Sequence, residues 1–263
     1  MWKEYFVYNI NKAITTTSIS VFSDVSIKTA FDADFELYAI SANPTNHNAN
    51  VFMRIKNDED GIITLNPMGF GLRSFAGVHN RRMFNPYLLR YPLLIKAGNE
   101  IEFEISNFHT TTNTVRITLH GAKIRQGEHP LLNRNIKDRE FAIYTGTKNI
   151  ASGTKNTFVI QTDSDSFFIL KQLNGFIDYV NNDYTTDTGY FNVLITDNYS
   201  QKAWMNESIN FFNLLGNGSY PNNLYKYSEK VIPPNSIITI EGENVGNTAG
   251  DLYVSLIGDK IYV

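Results

Sequence analysis

Few side chains in this sequence have types and spacing that could do chemistry. Its histidines are His47, His79, His109, His120 and His129, and it has no cysteine. None of the histidines stands in an HExxH, HxH or His-x3-His arrangement, the spacings that bring two imidazoles to one metal. His120 lies in a strand-like run beside Gly121. It reads as a histidine on a strand face, with a ligand or switch role as the sharper alternative. Asp32 and Asp34 form "DAD", which recurs as "DSD" at Asp163 and Asp165. A spacing of two puts both carboxylates on one face of an extended chain, and calcium takes such oxygens. The surroundings lack the glycine and distal glutamate of an EF-hand, and a polar strand start is the plainer reading. "GFGLRSFAG" (69–77) is neither a dinucleotide fingerprint nor a P-loop and reads as a tightly turning loop. No Ser-His-Asp, Cys-His or paired acid–base set can be argued from order or spacing. No catalytic, cofactor-binding or metal residue is therefore assigned, and an enzyme is not expected.

Two stretches fit binding better than turnover. "HNRRMF" places Arg81 and Arg82 together beside Phe84 and Tyr87. Arginine and aromatic residues dominate interface hot spots, although a solvated charge pair accounts for them equally well. "GNGSYPNNLYKY" (216–227) presents Tyr220, Tyr225 and Tyr227 among Asn and Gly. Such loops are adaptable binding surfaces. A subunit contact is the simplest use, with sugar stacking and ordinary loop packing as the other readings. Asn198, Asn206 and Asn217 each head an Asn-x-Ser triplet. In an Asn-rich chain without a recognisable signal peptide these are read as accidental.

The elements that position these residues follow from composition and repetition. The 263 residues are 42% hydrophobic and include 18 Phe and 15 Tyr. That richness, with many Thr, Ile and Val, favours strands. The formal charge of −3 gives no basic excess for nucleic acid. Disulfides and Cys-ligated metals are excluded by composition. "MWKEYFVYNINK" lacks the long apolar core of a signal peptide. No apolar run reaches the length of a membrane-spanning helix, so neither secretion nor a bilayer is expected.

The phrase "LHGAKI" (119–124) returns as "LIGDKI" (256–261), with Gly121 and Gly258 offset by 137. Upstream, "LLIKAGNEIEFEI" (93–105) meets "KVIPPNSIITIEG" (230–242) at the same offset between Ile95 and Ile232. "VFMRIKND" (51–58) meets "FNVLITDN" (191–198), and "FDADFELYAI" (31–40) meets "TDSDSFFILK" (162–171). Four strand-like blocks in one order predict an internal duplication. The copies are 1–126 and 140–263, joined by a connector at 127–139 that carries Gly, Pro and charge. So short a connector implies that the copies touch.

The alternation predicts an all-β chain of two tandem antiparallel β-sandwiches. In the first copy strands are expected near 3–9, 17–22, 24–29, 33–41, 50–57, 62–66, 100–106 and 114–125. In the second they are expected near 141–145, 156–161, 166–173, 190–196, 201–205, 236–242 and 251–262. The stretches 67–90 and 206–229 read as long excursions where neighbours would dock, and "ESINFFNLL" is the best helix candidate. Both closing glycines are expected to mark a bend or a close backbone approach.

The ordered pattern "DFELYAI … VFMRIKND … PLLIKAGNEIEFEISN … VRITLHGAKI" resembles a recurring motif of tailed-bacteriophage virion structural proteins. Asp34-Phe35-Glu36-Leu37, Ile55 to Asp58, Pro92 to Asn107 and Gly121-Ala122-Lys123 carry it. Pro233 to Gly242 and Gly258-Asp259-Lys260 follow more loosely. The Asn, Ile and Lys content fits a low-GC phage such as the crAss-like phages. The resemblance implies jelly-roll-like sandwiches and a non-enzymatic building block. Such a block would form a homo-oligomeric ring or shell with portal, capsid or tail components. It would be assembled in the host cytoplasm and be located in the virion. A head–tail connector or collar, a capsid-associated protein and a double jelly-roll major capsid protein all fit. A carbohydrate-binding or adhesin-like protein is the alternative from a different class. No cofactor, nucleic acid or membrane is implied.

Overall fold

The computed structural model describes residues 1–15, 23–44, 51–57, 70–71, 86–107, 112–179, 191–200, 202–215 and 229–263. In the first half the strands are β1 (Trp2–Ile14), β2 (Ser23–Lys28), β3 (Asp34–Pro44), β4 (Val51–Asn57), β5 (Phe70–Gly71), β6 (Tyr87–Ile95), β7 (Glu100–Asn107) and β8 (Asn113–Arg125). In the second half they are β9 (Asp138–Ile150), β10 (Lys155–Gln161), β11 (Phe167–Tyr179), β12 (Phe191–Asp197), β13 (Lys202–Ala203), β14 (Ile209–Asn210), β15 (Lys230–Ile232), β16 (Ile237–Asn244) and β17 (Gly250–Tyr262). One helical turn, α1 (Phe211–Leu214), follows β14.

Residues of the first half form two sheets ordered β1-β8-β3-β6 and β2-β7-β4-β5. Residues of the second form β9-β17-β11-β15 and β10-β16-β12-β13, with β14 also on β12. Counted within each half, the order is first-eighth-third-sixth over second-seventh-fourth-fifth both times. That is the strand order of an eight-stranded jelly roll. The second half holds the fifth place with two short pieces, β13 and β14. All pairings between these strands are antiparallel.

Strict alternation builds each sandwich. In β7, Ile101, Phe103 and Ile105 are buried, while Glu102 and Glu104 are only partly so. They meet Phe35, Leu37, Ile117 and Leu119 of the facing sheet in one core. The second core joins Phe168, Val193, Ile195, Ile238, Val254 and Leu256 in the same way. Fully burying each such side chain contributes ~1.5–3 kcal/mol.

Corresponding positions do the same work in both halves. Tyr8 meets Phe35 edge-on at 4.8 Å and 89°, and Tyr144 meets Phe168 at 5.0 Å and 89°. The Asn107 amide donates to Ile14 O at 3.1 Å, and that of Asn244 to Ile150 O at 3.0 Å. The turn before the seventh strand holds a left-handed residue each time, Gly98 (φ 78°) and Asn235 (φ 56°). Asp32 binds Lys123, and Asp163 binds Lys260. The recurrent "DAD" and "DSD", which lead into β3 and β11, therefore supply a carboxylate to the lysine of each closing phrase.

The closing glycines sit at the same irregularity. Gly121 pairs with Leu37 where the register steps from Leu37 to Ala39. Gly258 pairs with Leu170 where it steps from Leu170 to Gln172. A Cβ on Gly121 would overlap the Glu36 carbonyl oxygen and the Phe35 ring, and one on Gly258 the Ile169 carbonyl. The expected close approach is thus the back of a β-bulge, which bends the third strand in each half.

Three sequence expectations shift. Tyr87–Ile95, read as the end of an excursion and a lead into the turn, is a full strand. Lys230–Ile232 is a short strand as well. Only Phe211–Leu214 of "ESINFFNLL" is helical, because Ile209 and Asn210 pair with β12 first. The strands expected near 17–22 and 62–66, most of "GFGLRSFAG" and most of the 67–90 excursion lie outside the described residues.

Gly121→Ala and Gly258→Ala should each lower unfolding free energy by about 3 kcal/mol, because backbone must move to admit the methyl group. Gly153→Ala, at φ 69° with open space around it, should cost only ~1 kcal/mol. Denaturant midpoints of the three variants check this.

Candidate assembly interface

β1 is where the two halves meet. Phe6 and Tyr8 point into the first core, while Tyr5 and Val7 point outward and belong to the second. Four consecutive apolar residues, Tyr5 to Tyr8, are what a strand covered on both faces requires. The outward side packs with Trp204, Met205, Ile209, Phe211, Leu214 and Leu215, from β13 through α1. The open edge of β1 is used too. Val7 N donates to Trp204 O at 3.1 Å and Tyr5 N to Glu229 O at 3.3 Å. Asn206 N donates to Val7 O at 3.3 Å. Isolated parallel bridges thus join Glu4 and Val7 of β1 to Glu229 and Met205 of the second half.

Beside this apolar contact runs a polar row in which Asn9, Ser41, Thr118, His120 and Asn213 are buried and Asn206 is exposed. Asn206 Oδ1 accepts from Asn9 N at 2.7 Å, and the Asn206 amide donates to Asn9 O at 3.0 Å. Thr118 Oγ1 donates to Asn9 Oδ1 at 2.7 Å and accepts from Asn213 Nδ2 at 3.2 Å. Ser41 Oγ and His120 Nε2 share a hydrogen bond of 2.9 Å. His120 is completely buried. Burial pushes its pKa down to about 3, against a smaller upward pull from the Asn213 backbone. The imidazole is therefore neutral, a strand-face histidine held in the seam, as the plainer sequence reading expects.

A chain of charges closes one end of the seam. Lys123 and Arg125 both bind Asp32, at 2.9 and 2.7 Å; Arg125 Nε also binds Glu4 at 2.6 Å, and Glu4 binds Lys230 Nζ at 2.6 Å. Burial alone would raise the Glu4 pKa, but Lys230 and Arg125 outweigh it and hold the carboxyl below its ordinary value. Nearby, His129 of the connector meets Glu229 at 2.9 Å and the Trp2 ring edge-on. Leu131 packs with Phe167, Ile169 and Ile261. The connector is thus docked along the second half, and its last residues, Asp138 and Arg139, already belong to β9.

Of the interface residues singled out in the sequence, only Tyr87 is described. It opens β6, opposite Ile40, and is exposed. Arg81, Arg82, Phe84, Tyr220, Tyr225 and Tyr227 lie outside the described residues. The 206–229 excursion was expected to meet neighbours, but its described part, 206–215 and 229, meets the chain's own first half. Sequence reasoning missed Asn9, Ser41, Thr118, Asn206 and Asn213. The one signal available was the unbroken apolar run of β1, which announces a second buried face without naming its partner. Among the described residues no three His, Asp or Glu side chains form a metal-sized cluster. No described helix is long and apolar enough to cross a membrane.

No protein-family model matches the chain, and no curated protein is similar to it in sequence. Among solved structures, one of Sulfolobus turreted icosahedral virus matches at 10% identity over 98% of this chain and 91% of that one, with a TM-score of 0.29. Infectious bursal disease virus VP2, in a subviral particle, matches at 9% identity over 99% and 77%, with a TM-score of 0.23. A peptide-N(4)-(N-acetyl-β-D-glucosaminyl) asparagine amidase matches at 8% identity over 97% and 100%, with a TM-score of 0.21. At such identities and TM-scores none of these likenesses bears on what this chain does.

Acid should weaken the seam. An unfolded His120 takes a proton near pH 6.5, but the buried one does not until about pH 3. Stability present above the unfolded value is therefore lost as pH falls. Between pH 7 and pH 5 the wild type should lose ~2 kcal/mol more than His120→Gln, measured by denaturant unfolding at both pH values. Lys230→Met should cost ~2 kcal/mol by taking one charged partner from Glu4. Adding Glu4→Gln to that variant should recover part of the loss, since an unpaired buried charge is worse than none.

Proposed function

We propose that this chain is a non-enzymatic structural subunit of a virion shell, built as a double jelly roll. The observation that carries the reading is the jelly-roll strand order found twice in one chain, with the halves locked by a buried seam. Jelly rolls serve viral capsids, lectins and cupins alike, so fold alone does not choose among them. A small-molecule site inside a roll needs convergent polar groups in its core. Both cores here are built of residues such as Phe103, Met53, Phe191 and Val254, and the polar row lies between the halves. What the polar groups achieve is a fixed placement of one sandwich on the other, which is a building block's requirement.

The finer reading adds a bacteriophage origin, internal duplication of the units 1–126 and 140–263, and homo-oligomeric assembly with other virion proteins in the host cytoplasm. It is supported by the sequence motifs quoted above and by the paired roles of Gly121 and Gly258, Lys123 and Lys260, and Asn107 and Asn244. Within it the double jelly-roll capsid subunit is preferred to a connector or collar ring. Native mass spectrometry with electron microscopy of the purified chain tests the choice. A trimer of roughly three times 29.9 kDa, or shells built of trimers, is expected. Closed rings of about a dozen subunits would favour the connector or collar instead. A chain that stays monomeric at every concentration would overturn both.

A further inference from the structure

The buried acids and bases are gathered in one place. Tyrosines aside, the buried ionisable side chains among the described residues are Arg116, His120, Lys123, Asp197 and Lys230. Of these only Asp197 stands away from the seam. It accepts from Tyr199 N and Ser200 Oγ in the turn after β12. The cores of the two sandwiches are packed from apolar side chains. Added protons therefore act between the halves before they act inside either one.

His120 is the group placed to sense them. By register it stands beside Val7 of β1 and Ala39 of β3, it bonds Ser41, and Asn213 of α1 reaches it through its backbone. None of these is ionisable. Tyr5 of β1, Arg116 of β8 and Glu207 before β14 also face the seam. Asp32, Lys123, Arg125, Glu4 and Lys230 close its end, with His129 and Glu229 beside them. Burial keeps His120 neutral, and an open seam returns it to water, where imidazole takes a proton near pH 6.5. Glu207 acts the other way. Burial raises its pKa against the hydrogen bond from Asn9, so its protonation favours the closed seam. In Glu4 and Asp32 burial is outweighed by the cationic partners, so both respond only in stronger acid.

The fold also supplies a pivot. β8 ends at Arg125, and the second half holds the connector from His129 onward. His129 meets Glu229, Leu131 packs with Phe167 and Ile261, and Lys137 N donates to Tyr262 O at 2.9 Å. Between these anchors Gly127 has φ 99°, with open space where a Cβ would stand. Glycine can turn there without steric hindrance. We propose that acid opens the seam about Gly127 while both sandwiches stay folded, with His120 as the group that takes the proton. Opening uncovers Tyr5, Val7 and the free edge of β1, and such an edge can pair with another chain. The device goes beyond the shell reading and depends on the seam alone.

The amides of Tyr5, Val7 and Asn9 report on the seam. They point away from β8 and donate to Glu229 O, Trp204 O and Asn206 Oδ1 of the second half. The test is deuterium exchange of the full chain at pH 7 and pH 5, with each rate referred to that of an unstructured amide at the same pH. Between the two pH values the seam amides of the wild type should lose ~20-fold more protection than those of His120→Gln. That ratio follows from a histidine pKa of 6.5 when open and about 3 when closed. Amides of β7 and β16, central strands in their sheets, should keep their protection. If they lose it together with the seam amides, the chain unfolds as one unit and the pivot is wrong. Seam protection that is equal at both pH values, or that falls equally in His120→Gln, would overturn the role of His120. Should His120→Gln fail to fold, the wild type decides alone: seam protection must fall while that of β7 and β16 holds.

Discussion

β1 has no side left free, and the arrangement of the chain depends on that. Its hydrogen-bond order makes it an edge strand, the kind of element that recruits foreign chains when left open. Here Phe6 and Tyr8 complete one core, Tyr5 and Val7 belong to the other, and the edge amides donate to carbonyls of the distant second half. Separating the halves would expose an apolar face, a polar row and a strand edge together. The two sandwiches are therefore bound by more than the linker between them. Burying Tyr5 and Val7 alone contributes several times ~1 kcal/mol to holding them in place.

The polar part of the seam adds placement rather than strength. Two apolar sheet faces would tolerate sliding by a residue pair, since burial is nearly indifferent to register. The reciprocal pair between Asn9 and Asn206 and the bond from Asn213 to Thr118 are satisfied in one alignment only. A slip would leave Asn9, Thr118 and Asn213 buried without these partners, which costs more than the bonds gain when made. His120 fits the same logic. Its neutral imidazole bonds Ser41 without bringing an unpaired charge into the interior. The ion chain from Lys123 to Lys230 does the corresponding work where the seam approaches solvent.

What could be read from the sequence was local and repeated. In "LHGAKI" and "LIGDKI" the glycine admits the bulge of the third strand and the lysine binds the aspartate before that strand. Each constraint acts within one sandwich, so it appears once in each half at nearly fixed spacing. The strands that escaped notice are those without such patterning. Tyr87–Ile95 lies at a sheet edge, is interrupted by Pro92, and shifts register against β3, so its apolar residues do not alternate. Lys230–Ile232 is too short to show a period and runs straight into two prolines. The seam was invisible for another reason. Asn9 and Asn206 are 197 positions apart, and nothing in either neighbourhood names the other.

The two corresponding faces also differ in a direction that physics explains. Where the first half has Tyr5, Val7, His120 and Arg116, the second has Phe141, Ile143, Ile257 and Tyr253. At these four positions the change is toward apolar, whereas Ala39 gives way to Gln172. A contact made within one chain is formed under the connection of the backbone and incurs no further loss of translational freedom. It can therefore be built from hydrogen bonds whose net gain is small. A contact between separate copies must offset an association cost on the order of 4–15 kcal/mol. Apolar area does so with little demand on geometry, and the cores of subunit interfaces are accordingly the more apolar part. The scaffold thus presents one face twice, covered within the chain on the first half and carrying exposed aromatic and aliphatic side chains such as Phe141 and Ile143 on the second.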